Sequence, residues 1–527
     1  MRHAFRPSSP SQGVEGEFLM NGFSNRWRWP KSVATLMQPY LAYCNVIGSN
    51  LRMRELKTGF KLDPIFLEFL KDKPNLKKRF GIQKIVDSVK WTRKEESIDI
   101  QELPYVPAAM NLLASYQGLV KSCRTYNVPP GVDLELWAIS KAWMFDEFLP
   151  LMCNSRVLSL DEVLAKMDLS KSPGRCFVGR WKTKGEMIAD PEGRNVINTY
   201  WDNCCYLGLS FCLFGCDSKD ELRPFEKVVA NKTRLFWSAP ATHHFNGARL
   251  LSDAQDKLRD RRDLSCHTIG MSRFGREWNN VMGQFLGCSV MDMDGSNWDT
   301  NFFGDALWDV CELYWESLDP VYRTEENRNR MINYFGEAIE SYGMMPDGIV
   351  VQVFGGMKSG VICTASANTM HHFRQHCYVW LKLKNSANTG DNFREFRRQY
   401  KLAIMGDDCL NSPPKEPEFT YESVKTQLDL FLPHSSSKPR FVDILEAVYC
   451  SQRNIMLNGR ILPVPDPYRC FSSLLIGGKR LDPDVAASRC LMIRIHAYWD
   501  PEMRSICEEY YNFILDFYRV HLQDKVW

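Results

Sequence analysis

Two short acidic stretches hold the side chains best suited to chemistry in this 527-residue chain. One is Met291-Asp292-Met293-Asp294-Gly295-Ser296-Asn297-Trp298-Asp299; the other is Met405-Gly406-Asp407-Asp408-Cys409-Leu410. Aspartate oxygens are hard ligands of the kind Mg²⁺ prefers. Two such ions about 3.5–4 Å apart can activate an oxygen nucleophile and steady a triphosphate, the chemistry of nucleotidyl transfer. Asp294 and Asp407 are the candidate shared ligands, and Asp408 adds negative field and a further ligand oxygen. Asp292 precedes Asp294 by two residues and shares its face in a strand, so it is a rival ligand or a structural acid. A Gly-Asp-Asp turn alone is common on protein surfaces, so the reading depends on what surrounds it.

The acids need elements that bring them together. Cys288 to Asp294 (CSVMDMD) reads as a short strand, followed by a helical pattern through Phe303, Leu307, Val310 and Tyr314. Apolar Leu402–Met405 and Cys409-Leu410 flank the second acidic pair, which predicts a β-hairpin with the acids at its tip. Between the two stretches, Gly355-Gly356-Met357-Lys358-Ser359-Gly360 is a loop able to approach a template or nucleotide closely. It feeds a helix on which Thr364, Asn368 and His372 recur every fourth residue on one face. A small polar face opposite an aspartate can read a ribose hydroxyl; the plain alternative is a glycine-rich hinge before a capped helix. Upstream, Arg223, Lys227, Lys232 and Arg234 form a basic run that could line a triphosphate channel, or else a solvated loop.

Here a resemblance becomes specific. MDMDGSNWD resembles motif A of viral RNA-dependent RNA polymerases of positive-strand viruses, in wording nearest the picorna-like and poty-like groups. GGMKSGVICTASAN (355–368) resembles motif B, MGDDCL motif C, and KDELRP with Asn231-Lys232-Thr233-Arg234 motif F. Ser170-Lys171-Ser172-Pro173-Gly174 resembles motif G at the template entrance, and Lys438 in PHSSSKPR stands where motif D has a lysine. Tyr449-Cys450-Ser451-Gln452-Arg453 resembles motif E in a sobemo-like or nidovirus-like wording. The motifs run in the order F, A, B, C, D, E over residues 219–453, about half the chain.

The resemblance implies Asp294, Asp407 and Asp408 as ligands of two Mg²⁺ ions, with Mn²⁺ a substitute, and Lys438 as general acid to the departing pyrophosphate. It implies that Asp299 and Asn368 favour ribonucleotides, with Ser359, Gly360 and Thr364 completing the nucleotide site beside Arg223, Lys227, Lys232 and Arg234. RNA contacts fall on Ser172, Pro173, Gly174, Cys450, Ser451, Gln452 and Arg453.

Bulk properties fit without pointing there. A chain this long needs two to four lobes, and 44% hydrophobic with 12% aromatic residues excludes a largely disordered protein. A net charge of +3 advertises no nucleic-acid partner, so a basic path must be local. Eighteen cysteines without repeating spacing, and no signal-peptide order, predict reduced and mostly buried thiols, the Cys204-Cys205, Cys212 and Cys216 group included. No apolar window of about 18 residues predicts a membrane span. The first thirty residues read as a soft lead-in, in which Gln12-Gly13 could be a protease junction. Lys77-Lys78-Arg79 reads as a solvated face, and His243-His244 as packing or RNA-side contacts. His372 and His376 have metal-ligand spacing with Cys377 beside them, but no partner pair at a convincing spacing, so they read as core.

The expected fold is α+β: a right hand of fingers, palm and thumb, with an antiparallel palm sheet backed by helices. The expected division is a lead-in over 1–40, fingers over 41–250, palm over 251–330, a fingers insertion over 331–350, palm over 351–455 and a thumb over 456–527. Fewer than eighty residues follow Arg453, which favours a primer, such as a protein primer, over a large initiation loop. The expected partners are template and product RNA, ribonucleoside triphosphates and other viral replication proteins. The setting would be a membrane-associated complex in host cytoplasm, held by those proteins. Two rivals share the chemistry or the fold: a reverse transcriptase and a non-catalytic RNA-binding replication protein.

Overall fold

The computed structural model describes residues 45–49, 58–82, 103–122, 127–207, 212–385, 390–435, 439–478 and 482–518. Its largest sheet has five strands in the order Asn45–Ser49, Ile349–Phe354, Glu340–Met344, Leu213–Ser218 and Leu235–Ser238. Every neighbouring pair is antiparallel except Leu213–Ser218 with Glu340–Met344. A smaller antiparallel sheet orders Lys401–Met405, Asp408–Ser412 and Met291–Asp292, and carries the two acidic stretches. The fold class is therefore α+β with antiparallel sheets, as expected.

The Thr364–Leu383 helix is the axis on which these parts are mounted. Every residue from Ser366 to Leu381 is buried, although the segment includes Asn368, His371, His372, Arg374, Gln375 and His376. It packs against the Leu134–Met152, Gly304–Ser317 and Tyr421–Leu428 helices and the Lys401–Met405 strand. A helix buried all round must satisfy its own polar groups. Arg374 does so with Asp309 at 2.6 Å and the carbonyl of Trp137 at 2.8 Å, its guanidinium lying 3.6 Å from the Trp137 ring centroid. Burial alone would raise the Asp309 carboxyl, but Arg374 and Lys141 outweigh it and hold it below its ordinary value. The predicted Leu307, Val310 and Tyr314 stripe is buried on Gly304–Ser317, as its spacing requires.

A second core joins the two ends of the described chain. Ile65, Phe66, Phe69 and Phe80 pack with Phe471, Leu474, Cys507 and Tyr510, and the Lys61–Leu62 strand pairs with Ile476–Gly477. Lys77 belongs to this region and is buried, its ammonium donating to the Lys71 carbonyl at 3.2 Å. This corrects the solvated-face reading for Lys77; Lys78 and Arg79 are exposed. His243 is fully buried and stacks on Tyr334 at 4.3 Å, so of its two expected uses it serves packing. Cys204, Cys212 and Cys216 are buried free thiols. Among the described residues no helix is long and apolar enough to cross a membrane.

Candidate active site

The Gly-Asp-Asp turn is a two-residue hairpin loop, with Met405 paired to Asp408. Gly406 has φ +66° while Asp407 has no positive φ, so the left-handed residue falls at the first central position, where a type II′ turn requires glycine. The Gly406 N–H donates to Thr369 Oγ1 at 2.8 Å, and the Gly406 carbonyl faces His372 Nδ1 at 3.4 Å. The buried helix therefore grips the turn from below, and Asp407 and Asp408 are exposed above it.

The first acidic stretch is a broken strand. Met291 and Asp292 pair with Asn411 and Leu410, and Asp294-Gly295 turns away to pair with Ser435 and His434. Asp292 accepts the Val448 N–H at 3.1 Å, which gives it a structural task. Asn297 then adopts a left-handed conformation and opens a single helical turn, Trp298–Asn301, that carries Asp299. Asp299 is held up at about 6: burial is the main cause and the Asp407 carboxylate adds to it, against the Asn368 hydrogen bond and the charges of Arg234 and Lys219. Asn368 donates to Asp299 while its Oδ1, buried, has no hydrogen-bond partner.

The glycine-rich loop lies against this turn. Met357 N–H donates to the Asp299 carbonyl at 2.6 Å and Gly356 N–H to the Phe302 carbonyl at 2.7 Å. Ser359 Oγ accepts the Trp237 N–H at 3.0 Å. A Cβ on Gly360 would stand 2.4 Å from the Trp237 carbonyl oxygen, so the close approach needs glycine. Thr364 spends its hydroxyl proton on the carbonyls of Val361 and Lys358, at 2.6 and 3.1 Å, which makes it a brace for the loop. Leu235, Trp237, Asp299, Gly355 and Lys358 are among the residues lining a cleft of about 290 Å³.

The basic run is only partly gathered here. Arg234 acts on Asp299, together with Lys219, a residue of the KDELRP stretch with no role expected from sequence. Lys219 N–H donates to the Arg234 carbonyl at 2.8 Å, one step beyond the Ser218–Leu235 pair, so sheet register brings the two cations level. Glu221 spaces them, lying 3.4 Å from Lys219, 3.1 Å from Arg223 and 3.7 Å from Arg234. Lys227 and Lys232 are exposed. Lys358 was also missed; it is buried, donates to the Gly355 and Gly356 carbonyls, and lies 5.2 Å from the Trp237 ring centroid.

Two further segments carry the expected RNA contacts. Ser172 Oγ accepts the Gly174 N–H at 3.2 Å, and the Pro173 carbonyl accepts the Ala241 N–H at 2.7 Å, docking this turn on the Ala241–Asp260 helix. Cys450 and Ser451 both have positive φ at the tip of a second hairpin, whose strands are Val448–Tyr449 and Gln452–Leu457. Cys450 Sγ lies 3.8 Å from Met405 Sδ, and its thiol is pushed up by burial and by Asp408 and Asp407. Ser451 and Arg453 are exposed. Gln452 is buried, its amide turned back to the Cys450 carbonyl at 3.4 Å, so it does not face RNA from this position. Lys438 lies outside the described residues.

An RNA polymerase motif order, an acidic hairpin and a half-buried aspartate bonded to asparagine now stand together. A family model described as viral RNA-dependent RNA polymerase matches residues 83–428, well over half of the chain. This chain belongs to the viral RNA-dependent RNA polymerase family. The matched span holds both acidic stretches, the glycine-rich loop and the basic run, and ends before Lys438 and the Tyr449–Arg453 hairpin.

Curated relatives of the family member are viral genome polyproteins. That of Peanut mottle virus (strain M) is 25% identical over 358 residues, covering 68% of this chain and 11% of the polyprotein. That of Tobacco vein mottling virus is 25% identical over 311 residues, covering 58% of this chain and 10% of the polyprotein. The chain thus spans about a tenth of these relatives' length. In fold it is similar to a Sicinivirus 3Dpol RNA-dependent RNA polymerase, with a TM-score of 0.65 over 89% of this chain and 94% of that one, at 14% identity.

The family suggests dependence on divalent metal, and the donor set fits. Carboxylates exposed at a hairpin tip are hard oxygen donors; the charge of Asp407 is felt at Asp299, and that of both acids at Cys450.

Proposed function

We propose that the chain catalyses template-directed RNA synthesis from ribonucleoside triphosphates, replicating and transcribing a viral RNA genome. The observation that carries this is the hydrogen-bonded Asp299–Asn368 pair beside the Asp407–Asp408 hairpin, because a metal site with a sugar-reading pair suits ribonucleotides. Asp294, Asp407 and Asp408 would hold two Mg²⁺ ions, or Mn²⁺ in their place, whose charge activates the primer 3′-hydroxyl and steadies the triphosphate.

The chain's own residues do the rest. Ionised Asp299 accepts a hydrogen bond from a ribose hydroxyl, and the unpartnered Oδ1 of Asn368 supplies a second acceptor. Arg234 and Lys219 receive triphosphate oxygens, and Arg223, Lys227 and Lys232 extend the basic path. Ser359 and Gly360, held on the Leu235–Ser238 strand, set the floor of the nucleotide site, and Thr364 braces the loop. Ser172, Pro173 and Gly174 guide the template, while Cys450, Ser451 and Arg453 form the hairpin on which the primer end rests, with Gln452 packed inward. Lys438 acts as general acid to pyrophosphate.

The division into fingers (41–250, with 331–350), palm (251–330 and 351–455) and thumb (456–527) accompanies this reading. The shared core of residues 60–82 and 103–106 with 468–518 supports a bridge from the N-terminal segment to the thumb. A protein primer and other viral replication proteins are the proposed partners, the latter holding the enzyme in a cytoplasmic, membrane-associated complex. Primer extension on a defined RNA template, with ribo- or deoxyribonucleotides, tests the whole. Incorporation of ribonucleotides supports it; preference for deoxyribonucleotides indicates a reverse transcriptase, and RNA binding without incorporation a non-catalytic protein.

A further inference from the structure

The underside of the Gly406 turn holds a cluster for which polymerisation has no use. His372 and His376 lie one turn apart on the Thr364–Leu383 helix, their rings stacked at 5.2 Å. Cys409 enters from the Asp408–Ser412 strand, which belongs to the acidic hairpin.

 His376 and Cys409 are 33 residues apart along the chain, and His376 Nε2 stands 3.3 Å from Cys409 Sγ. One donor atom from each of His372, His376 and Cys409 lies within 4.8 Å of the others. His372 is 2% exposed, His376 fully buried and Cys409 5% exposed, so bulk water does not solvate these donors.

The outer nitrogens are already engaged. His372 Nδ1 faces the Gly406 carbonyl at 3.4 Å and His376 Nδ1 the Tyr400 hydroxyl at 3.2 Å, which leaves Nε2 of each ring as the remaining donor. Metal-binding histidines are oriented in this way, through a hydrogen bond on the nitrogen that does not bind.

We propose that His372, His376 and Cys409 bind one zinc-class divalent ion. One sulfur and imidazole nitrogens suit a borderline-soft ion and not Mg²⁺. Zn–N and Zn–S bonds of about 2.0–2.3 Å put the corners of a tetrahedron about 3.3–3.7 Å apart, a spacing the His376–Cys409 pair already has. On binding, Cys409 forms the S–Zn bond and its thiol proton leaves to solvent, while each neutral imidazole donates a lone pair and loses no proton. The ion would pin the acidic hairpin to the buried helix from the side opposite Asp407 and Asp408.

The test uses the full chain, purified without a polyhistidine tag and kept in Mg²⁺. Metal analysis after dialysis should find one zinc per chain, and Co²⁺ in its place should give a thiolate charge-transfer band with the strong visible absorption of a tetrahedral ion. Cys409→Ser and His376→Gln should lose the ion, whereas Cys377→Ala, a buried thiol on the same helix, should retain it. Should the ligand variants fail to fold, the cobalt spectrum of the unaltered chain decides. No zinc and no charge-transfer band would leave a hydrogen-bonded thiol–imidazole–phenol cluster only, and zinc undiminished in Cys409→Ser and His376→Gln would place it elsewhere; either result overturns the proposal.

Discussion

The Gly406 N–H donates to Thr369 Oγ1 at 2.8 Å, and the same hydroxyl donates to the Ala365 carbonyl at 2.8 Å. One threonine thus ties the acidic turn to the helix that supports it. Thr369→Val removes the acceptor from a buried N–H and should cost about 1–3 kcal/mol of stability, seen as a lower denaturation midpoint, while Thr369→Ser should restore most of it.

Asp407→Asn tests the proposed metal-ligand role. Primer extension should fall by about 10²-fold or more, the scale of losing one transition-state stabiliser, with an unchanged circular dichroism spectrum. Near-normal extension would remove Asp407 from the ligand set.

Asp299→Ala and Asn368→Ala test the sugar-reading pair. Each should reduce the preference for ribonucleotides by roughly 2- to 10-fold, the worth of one hydrogen bond, measured as the ratio of kcat/KM for ribo- and deoxyribonucleotides. Unchanged selectivity in both would refute the assignment.

The raised Asp299 carboxyl makes a pH-dependent prediction with a definite sign. Its value of about 6 exceeds the ordinary 3.8, so the folded chain binds the extra proton and gains stability at acid pH. That contribution is complete below the ordinary value and is lost as pH rises through about 6. Asp299→Asn should therefore gain on the parent chain as pH rises across this window, in denaturation midpoints measured at each pH. A constant difference between the two would contradict the shift.

Arg374→Met leaves Asp309 buried beside Lys141, at 2.7 Å. Loss of one member of a buried pair costs roughly 3–5 kcal/mol, so thermal unfolding should move to markedly lower temperature. A shift no larger than that of an exposed pair such as Arg79–Glu502 would show that the pair contributes little.

Much of the site was legible from neighbours along the chain. The Gly406 turn, the apolar strands beside it, the stripe at Leu307, Val310 and Tyr314 and the face carrying Asn368 and His372 all follow from turn chemistry and spacings of two, three or four residues. Such rules act through covalent proximity, so a linear reading captures them.

Only the tertiary structure decided which distant groups meet. Lys219 joins Arg234 through sheet register, Lys358 is buried on the Trp237 ring, and Gln452 turns inward from the hairpin on which it was expected to face RNA. Cys377 is the linear neighbour of His376, yet Cys409 is the thiol that meets both histidines, because a strand from the acidic hairpin packs across the helix. The sequence determined the residue types, local elements and motif order; packing between segments remote in sequence determined which side chains face the cleft, the core or one another, since burial is settled by the whole fold and not by any one stretch of it.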